Sequence, residues 1–179
     1  MKDELRIKLK RSRGLFSGEE RVDADGKIFE NFFSEYGGYQ SFFIYNSFGS
    51  EADTRRIVRR LMKEGKKVLL PRVEGDIIVP VSYGETTVGA YGIEEPVGVP
   101  YQGDIDVIVA PLLAVNGRGY RIGYGKGYYD RFFKGSSALK VGLGYSFQSV
   151  EFDEDVWDEP LHEYLFERGV IRFGGERNK

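Results

Sequence analysis

Residues 105–133 read IDVIVAPLLAVNGRGYRIGYGKGYYDRFF, and the order of features in this stretch decides the fold. Ile105–Pro111 (IDVIVAP) is a short, largely β-branched apolar run closed by a proline, as expected of a strand covered on both faces. A glycine-rich segment follows, and a helix is expected to begin near Gly127–Tyr129. Strand, glycine loop and helix in that order form the unit of an open sheet whose strands run mostly parallel.

Working outward, the segment before this unit fits the same architecture. Leu5 and Leu9, four residues apart among charges, predict a surface helix over residues 2–13. Ser17 with Glu20 reads as a capping box opening a second helix, with Val22, Ile28, Phe29 and Phe32 on its apolar face and Gly37-Gly38 at its end. Ser41–Tyr45 (SFFIY) reads as a buried strand. Ser50 and Asp53 are alternative caps for a third helix running to Glu64, with Gly65 as its stop. Val68–Pro71 is a second strand. Ile77–Ser82 is an edge or hairpin strand, because Pro80 offers no ladder donor. Downstream, Lys140–Tyr145 and Val170–Phe173 supply two more. The expectation is one Rossmann-like α/β domain over residues 1–179, with a mostly parallel open sheet and helices on both faces.

Composition narrows the function. The chain has 179 residues, enough to bury a sizeable core, and a formal charge of −2. That charge speaks against a general nucleic-acid or anionic-membrane surface while leaving room for a local phosphate-binding patch. With no cysteine there is no disulfide, thiolate metal site or cysteine nucleophile, and the single His162 excludes a multi-histidine metal centre. His162 has no evident catalytic partner and is expected to be structural. The N-terminal MKDELRIKLKRSR lacks the apolar core of a signal peptide, and the longest apolar run, residues 107–115, is about half of a membrane span. A cytoplasmic protein without a membrane partner is expected.

Chemistry concentrates in the glycine loop. Glycines stand at 117, 119, 123, 125 and 127, interleaved with Arg118, Arg121 and Lys126. Glycine lets a ligand approach the main chain and costs entropy on folding, so this density suggests a loop selected for binding. Exposed N–H groups, a helix start and a lysine make a phosphate cradle, and Asp130 adds a hard oxygen ligand suited to Mg²⁺. The plainer alternative is a long turn with Asp130 facing solvent. The loop lacks Gly-Lys-Ser/Thr, so it is not a Walker A motif, and it is not a dinucleotide fingerprint.

Gly119-Tyr-Arg-Ile-Gly-Tyr-Gly-Lys-Gly-Tyr-Tyr-Asp-Arg131 resembles the signature of the 5-formyltetrahydrofolate cyclo-ligases, or methenyltetrahydrofolate synthetases. The resemblance extends to Lys2–Arg6 (KDELR), Ser50–Thr54 (SEADT), Val68–Pro71, Gly92-Ile-Glu-Glu-Pro96 and the tail from Asp158. It implies ATP- and Mg²⁺-dependent closure of 5-formyltetrahydrofolate to 5,10-methenyltetrahydrofolate, with the formyl oxygen phosphorylated first and ADP and phosphate released. It also implies that Lys2, Arg6, Arg121, Ile122, Gly123, Tyr124, Gly125, Lys126, Gly127, Tyr128 and Tyr129 bind ATP, with Lys126 and Arg121 as the catalytic cations. Glu51, Tyr124, Gly125, Lys126, Gly127 and Tyr128 would border the folate, and Asp130 and Asp158 would hold Mg²⁺. A monomer is expected.

Other roles stay open for several of these residues. Lys2 and Arg6 also suit a solvated helix face, Glu51 a helix start, Tyr128 and Tyr129 packing, and Asp158 an acidic tail. The chain departs from the family's usual pattern at Val115-Asn116, Trp157 and Phe166. Two further functions therefore stand beside the first: an ATP-using relative acting on another heterocycle, and a nucleotide- or folate-binding protein without catalysis.

Overall fold

The computed structural model describes residues 2–174. In chain order its elements are α1 (Lys2–Leu15), α2 (Gly18–Tyr36), β1 (Ser41–Ile44), α3 (Arg55–Lys63), β2 (Lys67–Glu74), β3 (Ile77–Ser82), β4 (Thr86–Val88), β5 (Glu94–Pro96), β6 (Val107–Ala110), β7 (Ala114–Val115), β8 (Arg121–Ile122), α4 (Tyr128–Phe133), β9 (Leu139–Leu143), β10 (Glu163–Phe166) and β11 (Gly169–Arg172).

Side-chain alternation along the buried strands builds two cores. Phe42, Ile44, Val68, Leu70, Val107 and Val109 point to one face, where Ile28, Phe32 and Tyr36 of α2 and Ile57 and Leu61 of α3 cover them. Phe43, Leu69, Ile108 and Ala110 point to the other, where Phe133 of α4 packs with its neighbours Tyr128, Tyr129 and Phe132. This two-sided burial explains why the strands read as continuous apolar runs.

The sheet order is β11-β10-β9-β6-β1-β2-β3. Pairs β1/β2, β1/β6, β6/β9 and β9/β10 are parallel, and β3 and β11 close the two edges antiparallel. The mostly parallel α/β sheet covered on both faces is as expected, and β3 is the edge strand that Pro80 required. From the central β1 the chain runs to β2 on one side and, after β6, to β9 on the other. The order reverses between β1 and β6, and at such a switch point the loops diverge and leave a crevice.

Several local expectations fail for identifiable reasons. Ser17 is the N-cap of α2, but its side chain makes no cap hydrogen bond. Val22 is 71% exposed, because the buried face follows Ala24, Ile28, Phe32 and Tyr36 and a two-residue offset turns roughly 200° away from it. Ser50 does not cap α3, and Asp53 stands one residue before the N-cap position, where its Oδ1 accepts the Arg55 N–H at 3.0 Å and so satisfies the first donor of the helix. The N-cap is Thr54, whose hydroxyl donates to the Tyr45 carbonyl at 2.7 Å. Strand β10 went unpredicted because Glu163 interrupts its apolar run, yet Glu163 is buried and accepts a hydrogen bond from the Tyr36 hydroxyl at 2.9 Å. No described helix is long and apolar enough to cross a membrane.

Candidate active site

A cavity of about 650 Å³ opens beyond the C-terminal ends of β1 and β6, at the switch point. Tyr45 after β1, Pro71 of β2 and Pro111 after β6 contribute to its lining, together with Lys2, Arg6, Lys10 and Arg13 of α1. Every sequence-predicted site residue lines it: Lys2, Arg6, Glu51, the whole of Arg121–Asp130, and Asp158.

The glycine loop divides in two. Its first half is the β7–β8 hairpin, turned by Asn116, whose Oδ1 accepts the Arg118 and Tyr120 N–H groups at 3.0 Å each. Gly119 has φ +90°, and a Cβ there would fall 2.8 Å from the Phe173 ring. Arg118 pairs with Glu154 at 2.8 Å and Glu151 at 3.5 Å. Gly117, Arg118 and Gly119 do not line the cavity, which corrects the expectation that all five glycines and all three cations serve binding. The second half carries the site. Gly127, with φ +69°, is the left-handed N-cap of α4, a conformation that favours glycine. Because α4 has only six residues, a phosphate cradle here would rest on loop N–H groups and side-chain cations more than on a helix dipole.

The charges are distributed unevenly. Arg121 is almost fully buried, with Nη1 3.4 Å from the Pro111 carbonyl and Nη2 3.9 Å from Asp130, and its Nε has no hydrogen-bond partner among the described residues. Burial lowers its pKa, with Asp130 opposing, but an arginine stays charged. Arg6 donates to the Gly123 carbonyl at 3.0 Å, bracing α1 against the loop. Lys2 bridges Asp155 at 2.5 Å and Asp158 at 3.0 Å. Burial opposes its charge, yet those two carboxylates hold its pKa above the usual lysine value. Lys126 is exposed at the loop tip.

Asp130 and Asp158 come to the same wall, and the N–H of Glu159, the residue after Asp158, donates to Asp130 Oδ1 at 3.1 Å. Among the described residues no group of three or more His, Cys, Asp or Glu is placed to hold a metal ion. Two carboxylates on one wall would nevertheless suit Mg²⁺, which commonly takes one or two protein carboxylates alongside waters and phosphate oxygens.

Glu51, also on the cavity lining, is buried. Its Oε1 accepts the Phe48 N–H at 2.8 Å and its Oε2 the Tyr124 hydroxyl at 2.9 Å. Tyr129 packs against Phe43 and Phe133 while Arg121 lies over its ring, so it has both the packing and the lining role. Tyr128 exchanges a hydroxyl hydrogen bond with Tyr91 at 3.0 Å.

A family model described as the 5-formyltetrahydrofolate cyclo-ligase family matches residues 1–167. The chain belongs to that family. As a cyclo-ligase family member it is an enzyme, a ligase. It is 31% identical over 136 residues to the 5-formyltetrahydrofolate cyclo-ligase of Haemophilus influenzae, covering 68% of this chain and 73% of that one. The Mycoplasma genitalium enzyme of the same name is 52% identical over 60 residues, a match spanning 32% of this chain and 36% of that relative. The solved 5,10-methenyltetrahydrofolate synthetase of Aquifex aeolicus superposes with a TM-score of 0.86 at 35% identity, covering 99% of this chain and 95% of that one.

The departures from the cyclo-ligase pattern fall mostly outside the cavity. Val115 is buried, and Asn116 reaches the tail, donating to the Phe152 carbonyl at 3.1 Å. Phe166 stacks on Tyr164 in the sheet. Only Trp157 lines the cavity, at an exposed rim. His162 is structural: its Nδ1 accepts the Lys140 N–H at 2.9 Å.

Sequence reasoning missed Arg13, Lys10, Phe48 and Tyr91 as lining residues. A signal existed for two of them. Lys2, Arg6, Lys10 and Arg13 follow one another at spacings of four, four and three, which places them on one helical face.

Proposed function

We propose that this enzyme converts 5-formyltetrahydrofolate and MgATP to 5,10-methenyltetrahydrofolate, ADP and phosphate within the described cavity. The observation that carries this reading is that one cavity gathers the cations Lys2, Arg6, Arg121 and Lys126 and also the buried Glu51 carboxylate, which is engaged by the Tyr124 hydroxyl and the Phe48 N–H. A triphosphate suits the cations, and a flat heterocycle bearing N–H donors suits the carboxylate.

The reaction needs alignment and charge neutralisation more than a strong base, which is consistent with a site lacking histidine. The formyl oxygen takes the γ-phosphoryl group as its bond to ADP breaks, N10 then attacks the activated carbon and gives up its proton, and the C–O bond breaks with departure of phosphate, which carries the proton to solvent. Lys126, exposed at the loop tip, is free to reach the transferring phosphoryl group. Arg121, held in place by burial, presents fixed positive charge from below. The loop N–H groups around Gly123–Gly127 orient the phosphates, and Glu51 orients the heterocycle. Asp130 and Asp158 would hold Mg²⁺, which when bound neutralises charge on the phosphate oxygens.

The test is to mix purified protein with 5-formyltetrahydrofolate and MgATP and follow methenyl-folate absorbance together with ADP. Equimolar methenyl-folate and ADP, abolished by EDTA, are expected. Undiminished product without nucleotide would rule the reading out. If ADP forms only with another heterocycle present, the altered-substrate alternative holds.

A further inference from the structure

Arg13 lies in the last turn of α1 and is 5% exposed. It makes three hydrogen bonds: Nε to Ser50 Oγ at 2.9 Å, Nη1 to the Leu112 carbonyl at 3.1 Å, and Nη2 to the Tyr124 hydroxyl at 2.8 Å. None of these acceptors is charged. Burying a cation among neutral partners is costly unless the charge is used, and here it reaches a carboxylate one hydroxyl away.

The hydrogen-bond directions are forced. A guanidinium has no acceptor, so the Tyr124 oxygen must accept from Arg13. Its single proton is thereby committed to Glu51 Oε2, at 2.9 Å. Glu51 Oε1 is engaged by the Phe48 N–H at 2.8 Å. Each carboxylate oxygen has about two lone-pair sites, so one remains on each. Arg13 also ties down Ser50, next to Glu51 in the chain, and α1 to the loop after β6 through Leu112. Both loops at the switch point are therefore referred to one side chain.

We propose that Arg13 is a positioning residue: acting through the Tyr124 hydroxyl and Ser50, it turns Glu51 so that its two free lone pairs meet two N–H donors on the heterocyclic edge of the substrate. This inference rests on the cyclo-ligase reading. It makes Arg13 specific to folate binding, although it shares a helix with Lys2 and Arg6.

The experiment is steady-state kinetics of the full chain, with separate KM values for 5-formyltetrahydrofolate and ATP, in Arg13→Met, Tyr124→Phe and each combined with Glu51→Gln. Arg13→Met and Tyr124→Phe should each raise the folate KM about tenfold, with the ATP KM changed less than about twofold. With Glu51→Gln already present, Arg13→Met should change the folate KM by less than about twofold. An equal rise in both KM values, or an undiminished tenfold effect in the Glu51→Gln background, overturns the proposal. If Arg13→Met does not fold, Tyr124→Phe decides alone, since it keeps the arginine and the ring; an unchanged folate KM there overturns the relay. A wild-type protein inert towards 5-formyltetrahydrofolate sinks the functional reading and this inference together. Active wild type with unaffected variants sinks only the inference.

Discussion

The two halves of the glycine loop are neighbours in the chain, look alike in sequence and do opposite work. In the first half, around Gly117–Gly119, the glycines turn a hairpin packed against the tail, and Arg118 is matched by Glu151 and Glu154. In the second half, from Arg121 at the end of the hairpin to Gly127, the glycines line a cavity and the cations are matched incompletely: the buried Arg121 Nε has no partner among the described residues and Lys126 is exposed. Folding satisfies polar groups wherever it can, so a region left short of partners is where a ligand completes the structure.

The comparison breaks most visibly at Lys126. Lys126→Ala should lower kcat by roughly 100- to 1000-fold, the cost of about 2.7–4 kcal/mol for one preorganised charge contact in a transition state. Tm should move by no more than about 2 °C, because the side chain supports no packing. Retention of more than about a third of the activity would remove Lys126 from catalysis.

Next come the carboxylates. Asp130→Asn and Asp158→Asn should each raise the Mg²⁺ concentration for half-maximal activity several-fold, and the double variant should fall short of the product of the two effects. Since Asp158 also binds Lys2 and the Asp155 N–H, an unaltered Mg²⁺ dependence in Asp158→Asn would make it a clasp for α1 only.

Gly119→Ala tests the packing half. Its positive φ and the 2.8 Å approach to Phe173 predict destabilisation of more than about 1 kcal/mol and a Tm lower by at least about 2–4 °C. The folded fraction should keep kcat within about twofold. A selective loss of kcat with normal Tm would place Gly119 functionally with the second half.

The smallest effect concerns the stability cost of burying Glu51. Burial raises the pKa of Glu51, with the Phe48 N–H, Tyr124 and Arg13 opposing. A carboxyl whose folded pKa lies above its unfolded value contributes stability that is present below the unfolded pKa and lost as pH rises through the folded pKa. Glu51→Gln should therefore make the change of Tm above about pH 4.5 shallower, by about 2 °C across the transition. A pH profile identical to wild type would show that Glu51 is not strained by its burial.

Much of this was legible in the chain. Apolar runs such as SFFIY and IDVIVAP announce strands covered on both sides, Gly65 ends α3 with φ +74°, and Pro80 confines its strand to an edge. Local misreadings had local causes. Ser17 and Glu20 have capping-box spacing without the hydrogen bond, and Val22 lies off the buried face of α2. The basic stripe Lys2, Arg6, Lys10 and Arg13 was readable by spacing, but a charged helix face is normally solvated, and nothing local says that this one closes a cavity.

The sequence by itself therefore determined the element types, the parallel sheet, the family and the segment bearing the cations, because periodicity, turn residues and a long motif are local properties. Tertiary structure decided which glycines serve the cavity, that Asp130 and Asp158 share a wall, and that Arg13 reaches Glu51 through Tyr124. These depend on loops from distant strands meeting where the sheet order reverses, and on which hydrogen-bonding groups remain unpaired once the core has packed.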